Sequence, residues 1–549
     1  MKEKTSTKDM ENLRNLETLL RQLFSMLTRI ADHSVGKCLG VILFFIPVGV
    51  YFFFVIYFSE NIPFMDDYDA ILKFVIDFAD EESFLKRIQL VFAQHNDHRL
   101  AFLHLVVLAQ YYVSGGINFQ HLIILGNLSV IAILFVLWKA FECSRYKLYH
   151  FLPVVYLLFS LAYFEASLWA MVSLSGLSVV ALSFAAIYLL GKDKNIHFIG
   201  SCVFATAAVF TQGNGKIVLI CCIVMLLYKK QYKKSVIWFV MSVLLLLLPT
   251  LFLDSTHSSY ASISEILESP IRHIRHYLSI FSFLGTYFES LTFLGTYSGI
   301  LASLGNYFGS IILTLIVGAV ISCCFIYLIQ IKFYSKNLVL FAFITFIFLN
   351  ALAVGYARPS VVFPSRYAIY STIVIAILYL TLYEIRKGST SRLILTCAAV
   401  WIFIGSAHQY VTAPLKIKYY VITVKNYEKY LVLNKYFKNN MNQEQASQIL
   451  EVELRSIGAD PLVSLLPDSQ ISRFIINSHQ NTFKIMQGNF AYISPFSNYL
   501  KAADKLKVYE IGNMLPQPHQ MFMEFGPDGM AHAHTGSQLV STRQNIDSF

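Results

Sequence analysis

Charge is what this chain lacks most. Only 14% of its 549 residues are charged, where a soluble globular chain carries about 25%. With 56% hydrophobic and 15% aromatic residues, it holds more apolar surface than a water-soluble core can hide, so lipid is its expected solvent. Paired cysteine is also missing. The eight Cys are Cys38, Cys143, Cys202, Cys221, Cys222, Cys323, Cys324 and Cys397. Seven lie in or beside apolar runs, Cys143 lies in a basic loop, and no C-x-x-C or Cys/His spacing occurs. That excludes a disulfide framework and a thiolate metal site, and leaves cysteine as a small apolar filler. A net charge of +10 would suit nucleic acid, but no basic stripe or stacking platform accompanies it, so no nucleic-acid partner is expected. No cleavable leader is expected, because the charged stretch before the first apolar run is too long and no small-residue site follows that run.

What is present is a series of apolar runs near 37–58, 119–138, 149–165, 168–190, 195–211, 214–228, 235–253, 303–330, 337–355, 366–384 and 393–411. A crossing takes about 20 residues. The expectation is an all-α polytopic membrane protein with about eleven transmembrane helices. The shorter run 100–113 reads as a helix sunk in the outer interface, with a full crossing as the alternative. Residues 1–36 carry Leu13, Leu16, Leu20, Leu23, Leu27 and Ile30 on one helical stripe, as in an amphipathic segment on the cytoplasmic face. Five loops are basic: Lys139/Arg145/Lys147, Lys192/Lys194, Lys229/Lys230/Lys233/Lys234, Lys332/Lys336 and Arg386/Lys387/Arg392. Eleven crossings with the N-terminus inside put all five in the cytoplasm; a twelfth would put them outside. The domain reading is therefore a cytoplasmic N-terminal segment at 1–36 and a transmembrane domain at 37–411. A small extracytoplasmic C-terminal region follows at 412–549, with a loose tail from about 510.

Five polar motifs fall on the expected outer side. Pro63-Phe-Met-Asp66-Asp67-Tyr-Asp69 follows the first run, and its three carboxylates suit a divalent cation or a general base with a raised pKa, or a plain helix cap. His95-Asn-Asp-His98-Arg99 ends the same loop. Its histidines, spaced i, i+3, would share a helix face and could ligate a metal with a carboxylate, and its Arg99 could fork onto a phosphate. Glu165 and Trp169 occupy a tight turn between two runs, facing either headgroups or a cavity. Thr211-Gln-Gly-Asn-Gly-Lys216 reads as a tight turn, with backbone N–H groups offered to an anion as the alternative, and lacks the Walker spacing. Arg358, Arg366 and Tyr367 flank a late loop, where outward arginines suit an anionic lipid phosphate or simple snorkelling.

This combination resembles the GT-C superfamily of polytopic glycosyltransferases, in which an acidic pair sits in the first extracytoplasmic loop; Asp66-Asp67 holds that place. It is similar in particular to a bacterial subgroup with P-x-x-D-D-x-D, H-N-x-H-R, an acidic-x-x-x-Trp turn and a late Ser-Arg-Tyr. Pro63 to Asp69, His95 to Arg99, Glu165 to Trp169 and Ser365 to Tyr367 meet these motifs. The likeness covers about 37–411. It implies juxtamembrane helices in the first outer loop and an inner-membrane protein with its C-terminus outside. It also implies transfer of a sugar from a polyprenyl-phosphate carrier to a glycan or protein acceptor, with inversion and no nucleotide-sugar site. Asp66 or Asp67 would be the catalytic base, and Arg366 with Arg358 or Arg99 would stabilise the departing phosphate. Asp69, His95, His98, Glu165, Trp169 and Tyr367 would line the substrate site. No cofactor is required, though a divalent cation could take part. The rival classes are a lipid-linked-sugar flippase or transporter and an O-antigen polymerase or ligase. Transporters place ionisable groups near the midplane and often repeat half their fold, and neither feature is visible here.

Overall fold

A computed structural model of the protein describes residues 34–96, 98–142, 147–252, 270–291, 299–357, 360–386, 388–439, 521–525 and 531–535. The amphipathic stripe at Leu13 to Ile30, Cys143, Arg145, Arg358, Lys387 and most of the chain after Asn439 lie outside those residues.

Among the described residues the fold is helical, apart from two short antiparallel hairpins. Helix α1 (Ser34–Phe58) leads into the first loop. That loop holds a π-turn at Tyr68–Lys73, α2 (Phe74–Asp80), α3 (Phe84–Val91), and a hairpin of β1 (Gln94–His95) and β2 (His98–Arg99). Then come α4 (Ala101–Ser114), α5 (Phe119–Ala140), α6 (Lys147–Leu158), α7 (Phe164–Leu168) and α8 (Ala170–Val172). A second π-turn, Ser173–Leu177, continues α8 into α9 (Ser178–Gly191). Next are α10 (Asn195–Val209), α11 (Ile217–Tyr228), α12 (Tyr232–Phe252) and α13 (Pro270–Gly285). Helices α14 (Gly299–Gln330), α15 (Leu338–Ala357), α16 (Ala368–Ile385) and α17 (Gly388–Asn439) complete the bundle. The second hairpin pairs Met521–Phe525 with Ala531–Thr535.

Among the described residues, eight helical stretches are long and apolar enough to cross a membrane: Ser34–Phe58, Phe119–Ala140, Ala170–Gly191, Tyr232–Pro249, Gly309–Gln330, Leu338–Ala357, Ser365–Ile385 and Leu393–Lys418. Four shorter apolar helices, Ala101–Ser114, Lys147–Leu158, Asn195–Val209 and Gly213–Tyr228, accompany them. Lipid as solvent is written on the outer helices. Only 11% of Tyr232–Pro249 is buried by protein, and Ile237, Phe239, Val240, Leu244 and Leu247 of α12 are exposed. An apolar face left bare on this scale is incompatible with water. The inner helices interlock through aromatic rings, as where Phe184 stacks on Phe343 at 4.1 Å.

Contacts between loops sort the bundle into two ends. At one end the basic loops gather. Lys229 bonds the Gly191 carbonyl (3.0 Å) and pairs with Asp193 (2.7 Å). Asn337 donates to Ala140 O (3.1 Å) and to Glu384, which also accepts from the Glu142 N–H (3.2 Å). At the other end lie the polar motifs. His98 meets Gly213, Phe102 N–H bonds Phe210 O (3.1 Å), and Asp67 meets Met171. Helix α4 belongs wholly to that second end: it starts beside Phe210, and the turn after it returns Phe119 N–H to Asn61 (2.8 Å) and Gln120 to Ile56 O (3.2 Å). Its 14 residues span roughly 21 Å, short of a hydrocarbon core of about 30 Å.

Three sequence expectations are modified. The run at 149–165 stops as a helix at Leu158 and resumes as α7, so Glu165, expected in a tight turn between two runs, sits on a short helix. His95 and His98 are not on a helix face; they are cross-strand partners of a hairpin whose turn residue Asn96 has φ 49°. The boundary expected at 411 falls inside α17, which runs on to Asn439.

Candidate functional site

The first-loop motif is built by a strained turn. Met65 sits at φ 47°, a left-handed conformation that costs a β-carbon-bearing residue about 1–2 kcal/mol. Asp67 closes the turn, accepting from the Phe64 N–H (3.0 Å) through one carboxylate oxygen and from the Met171 N–H (2.9 Å) through the other. The Asp67 side chain therefore does not cap the helical turn that follows it; it fastens the loop to α8. Asp67 is completely buried. Burial pushes its pKa up to about 8, partly offset by those two N–H groups and reinforced by the neighbouring Asp66. The Trp169 indole also bears favourably on this carboxylate, although its N–H lies outside good hydrogen-bonding geometry.

Asp66 differs from its neighbour. Its side chain is 38% exposed and lies 4.0 Å from His95 Nε2. Asp69 is exposed at the start of the π-turn. Of the sequence-adjacent carboxylates, one is thus walled in by backbone and one can meet a ligand.

Glu165 and Arg366 meet across the end of the bundle. Glu165 is buried, its Oε2 accepts from the Arg366 N–H (3.3 Å), and its own N–H reaches Ser365 Oγ (3.4 Å). Burial raises the Glu165 pKa, and the Arg366 charge opposes that shift. The Arg366 guanidinium lies over the Trp169 ring (5.7 Å) and the Tyr367 ring (5.5 Å), a cation–π arrangement that orients it. Trp169 in turn packs edge-on against Phe64, at 5.2 Å. Asp67, Trp169, Glu165, Arg366 and Tyr367 therefore form one continuous cluster drawn from three distant segments.

Its floor is a buried polar lock. Tyr51 of α1 donates to Asn127 Oδ1 (2.5 Å) and shares a 2.8 Å bond with Ser167 Oγ, while Asn127 donates to the Ile123 and Ser167 carbonyls. Close packing extends this: a β-carbon on Gly126 would sit 2.4 Å from Ser173 Oγ, so α5 lies directly on the second π-turn.

A residue outside the sequence motifs joins the cluster. Tyr420, on the part of α17 beyond the expected boundary, packs edge-on against Phe64 and Phe164, each at 5.7 Å. Its hydroxyl is buried without a hydrogen-bond partner and feels the charges of Glu165, Asp67 and Arg366. Nothing in its sequence neighbourhood marks it.

The His95–Arg99 motif is tied in differently. His98 Nδ1 accepts from the Gly213 N–H (3.2 Å). Two of the Arg99 N–H groups go to the carbonyls of Phe92 (2.8 Å) and Pro249 (3.2 Å), so Arg99 clamps the hairpin onto α12. Among the described residues no group of three or more His, Cys, Asp and Glu is placed to hold a metal ion. Arg358 lies outside the described residues.

No family model, curated protein or solved structure matches this chain. Its chemistry is therefore read from the cluster alone. The cluster offers a carboxylate held by backbone and an oriented guanidinium, with the more exposed Asp66 adjacent to Asp67 in the chain.

Proposed function

We propose that the protein is a membrane glycosyltransferase of the GT-C kind. It moves a sugar from a polyprenyl-phosphate carrier to an envelope glycan or other acceptor on the extracytoplasmic side. Asp66 is the general base: it takes the acceptor hydroxyl's proton as that oxygen attacks the anomeric carbon. The bond from the anomeric carbon to the phosphate oxygen breaks, the phosphate leaves with the electron pair, and configuration inverts. Arg366 faces the charge that develops on the departing phosphate. Asp67 is a positioning residue, because both its oxygens are engaged by main-chain N–H groups.

The observation that carries this reading is the convergence of the acidic first loop, the Glu165–Trp169 turn and Arg366 in one cluster. The orientation we assign is N-terminus inside, with eleven crossings. It is supported by the basic loops sharing the opposite end and by α4 starting and finishing at the motif end. Counting the short helices α6, α10 and α11 with the eight longer stretches gives the eleven crossings of this assignment.

The test is a comparison of envelope glycans from a deletion strain rescued with wild type, Asp66→Asn or Arg366→Ala, with membrane levels of each protein matched. Deletion is expected to remove one sugar residue. Asp66→Asn should leave transfer down by at least about 100-fold, the usual share of a general base. A deletion strain with an unaltered glycan, or full rescue by both variants, would refute the assignment.

A further inference from the structure

Helix α17 reaches the cluster from outside every sequence motif, and it is firmly seated where it does so. Before Pro414 it is fastened to the end of α6 and the break that follows. Ser406 Oγ donates to the Tyr156 carbonyl (3.2 Å), the Tyr410 hydroxyl donates to the Phe159 carbonyl (3.1 Å), and Gln409 accepts from Ser160. Beyond Pro414 the helix buries Ile417, Val421 and Val424. Their spacing of four and three residues puts them on one face. Tyr420 stands on that face, three residues after Ile417 and four before Val424.

Two routes lead from the Tyr420 ring to Arg366. The first is a row of aromatic rings. Tyr420 meets Phe64 edge-on (5.7 Å), Phe64 meets Trp169 edge-on (5.2 Å), and the Arg366 guanidinium lies over Trp169 (5.7 Å). Phe64 also gives its N–H to Asp67 (3.0 Å). The second route runs along α7. Tyr420 meets Phe164 edge-on (5.7 Å), and the next residue, Glu165, accepts from the Arg366 N–H (3.3 Å). One route ends on the guanidinium and the other on the main chain of the same residue.

The Tyr420 hydroxyl is buried and makes no hydrogen bond, so the side chain engages its neighbours through the ring. Edge-to-face contacts fix the tilt of a ring as well as its distance. Without the Tyr420 ring, Phe64 and Phe164 lose the surface that sets their tilt, and the Trp169 platform loses its backing. A guanidinium binds phosphate through a directional fork, so a small displacement of that platform is felt at the anion.

We propose that Tyr420 is a positioning residue that sets Arg366 toward the departing lipid phosphate, through the Phe64–Trp169 row and the Phe164–Glu165 segment. This rests on the transferase reading, in which Arg366 faces that phosphate. It also makes the helix beyond residue 411, set apart from the transmembrane domain in the sequence, a working part of the site.

The experiment uses the full chain in lipid nanodiscs and compares binding of polyprenyl phosphate with binding of the matching polyprenol. The ratio of the two affinities isolates the phosphate increment, which general damage to the fold does not move selectively. Arg366→Ala should cut the wild-type increment by at least about 10-fold, as for loss of a charged hydrogen-bonding partner. Tyr420→Ala should cut it by about 3- to 10-fold with polyprenol binding unchanged. Tyr420→Phe should keep it within about two-fold, because the ring contacts remain. Tyr420→Ala should add no further loss in an Arg366→Ala background. Tyr420→Leu keeps an apolar side chain at this position and serves if Tyr420→Ala folds poorly; it should lose the increment in the same way. If the increment survives Tyr420→Ala and Tyr420→Leu, if Tyr420→Phe loses as much as Tyr420→Ala, or if polyprenol binding falls in parallel, the positioning role is overturned while the transferase reading stands. If wild type shows no phosphate increment, or Arg366→Ala leaves it whole, the phosphate role of Arg366 falls and this inference with it.

Discussion

At the scale of single residues, the acidic pair divides its work. Met65 accepts a left-handed backbone so that Asp66 and Asp67 leave the turn in different directions. One carboxylate goes into the protein and one toward the solvent-accessible side. Burial of Asp67 has a consequence for stability. Its folded pKa is about 8 against an ordinary 3.8, so between these values the folded state holds a proton that the unfolded state has released. The stability that Asp67 contributes must then fall as pH rises from about 4 toward 8 and level off above that. Thermal unfolding in detergent across that range measures it. Asp67→Asn should remove this pH dependence. It should also lower stability throughout by about 1–3 kcal/mol, because an amide has one accepting oxygen where two N–H groups wait. A stability difference between wild type and Asp67→Asn that stays constant or grows as pH rises over the same range would contradict the burial argument. The acidic run itself was legible in the sequence. Which carboxylate is exposed was not, since adjacent residues differ only through their tertiary surroundings.

At the scale of elements, helix positions were legible because an apolar run of about 20 residues is a local property. Breaks inside those runs were less so. The interruption between Leu158 and Phe164 and the π-turn at Ser173–Leu177 place Glu165 and Trp169 inward, where an uninterrupted helix would have left them at its end. The histidine spacing misled for a related reason: i, i+3 implies a shared face only on a helix, and Asn96 turns the chain into a hairpin instead. Helix α4 is the element whose placement decides the parity of the topology. Single cysteines replacing the exposed Asn96 and Ser114, in a chain freed of its native cysteines, should label with a membrane-impermeant thiol reagent from the same side. Labelling from opposite sides would make α4 a crossing helix and reverse everything after it.

At the scale of the whole molecule, the bundle has a basic end and an end of mixed carboxylates, amides and arginine. Cysteines replacing the exposed Lys194 and Lys230 should label only from the side opposite to Asn96 and Ser114. Accessibility from the same side would separate the charge pattern from the topology. The sequence by itself determined the membrane class, the approximate helices and the grouping of the basic loops. Transfer into lipid depends on composition summed over a short stretch, and loop charge is likewise read locally. The tertiary structure alone decided that Asp67, Glu165, Trp169 and Arg366 are neighbours, that Tyr420 joins them from beyond the expected domain boundary, and that Arg99 clamps the hairpin to α12. Those outcomes depend on which faces of distant helices pack together. An apolar helix surrounded by lipid on one side and protein on the other carries little periodic signal to say which face is which.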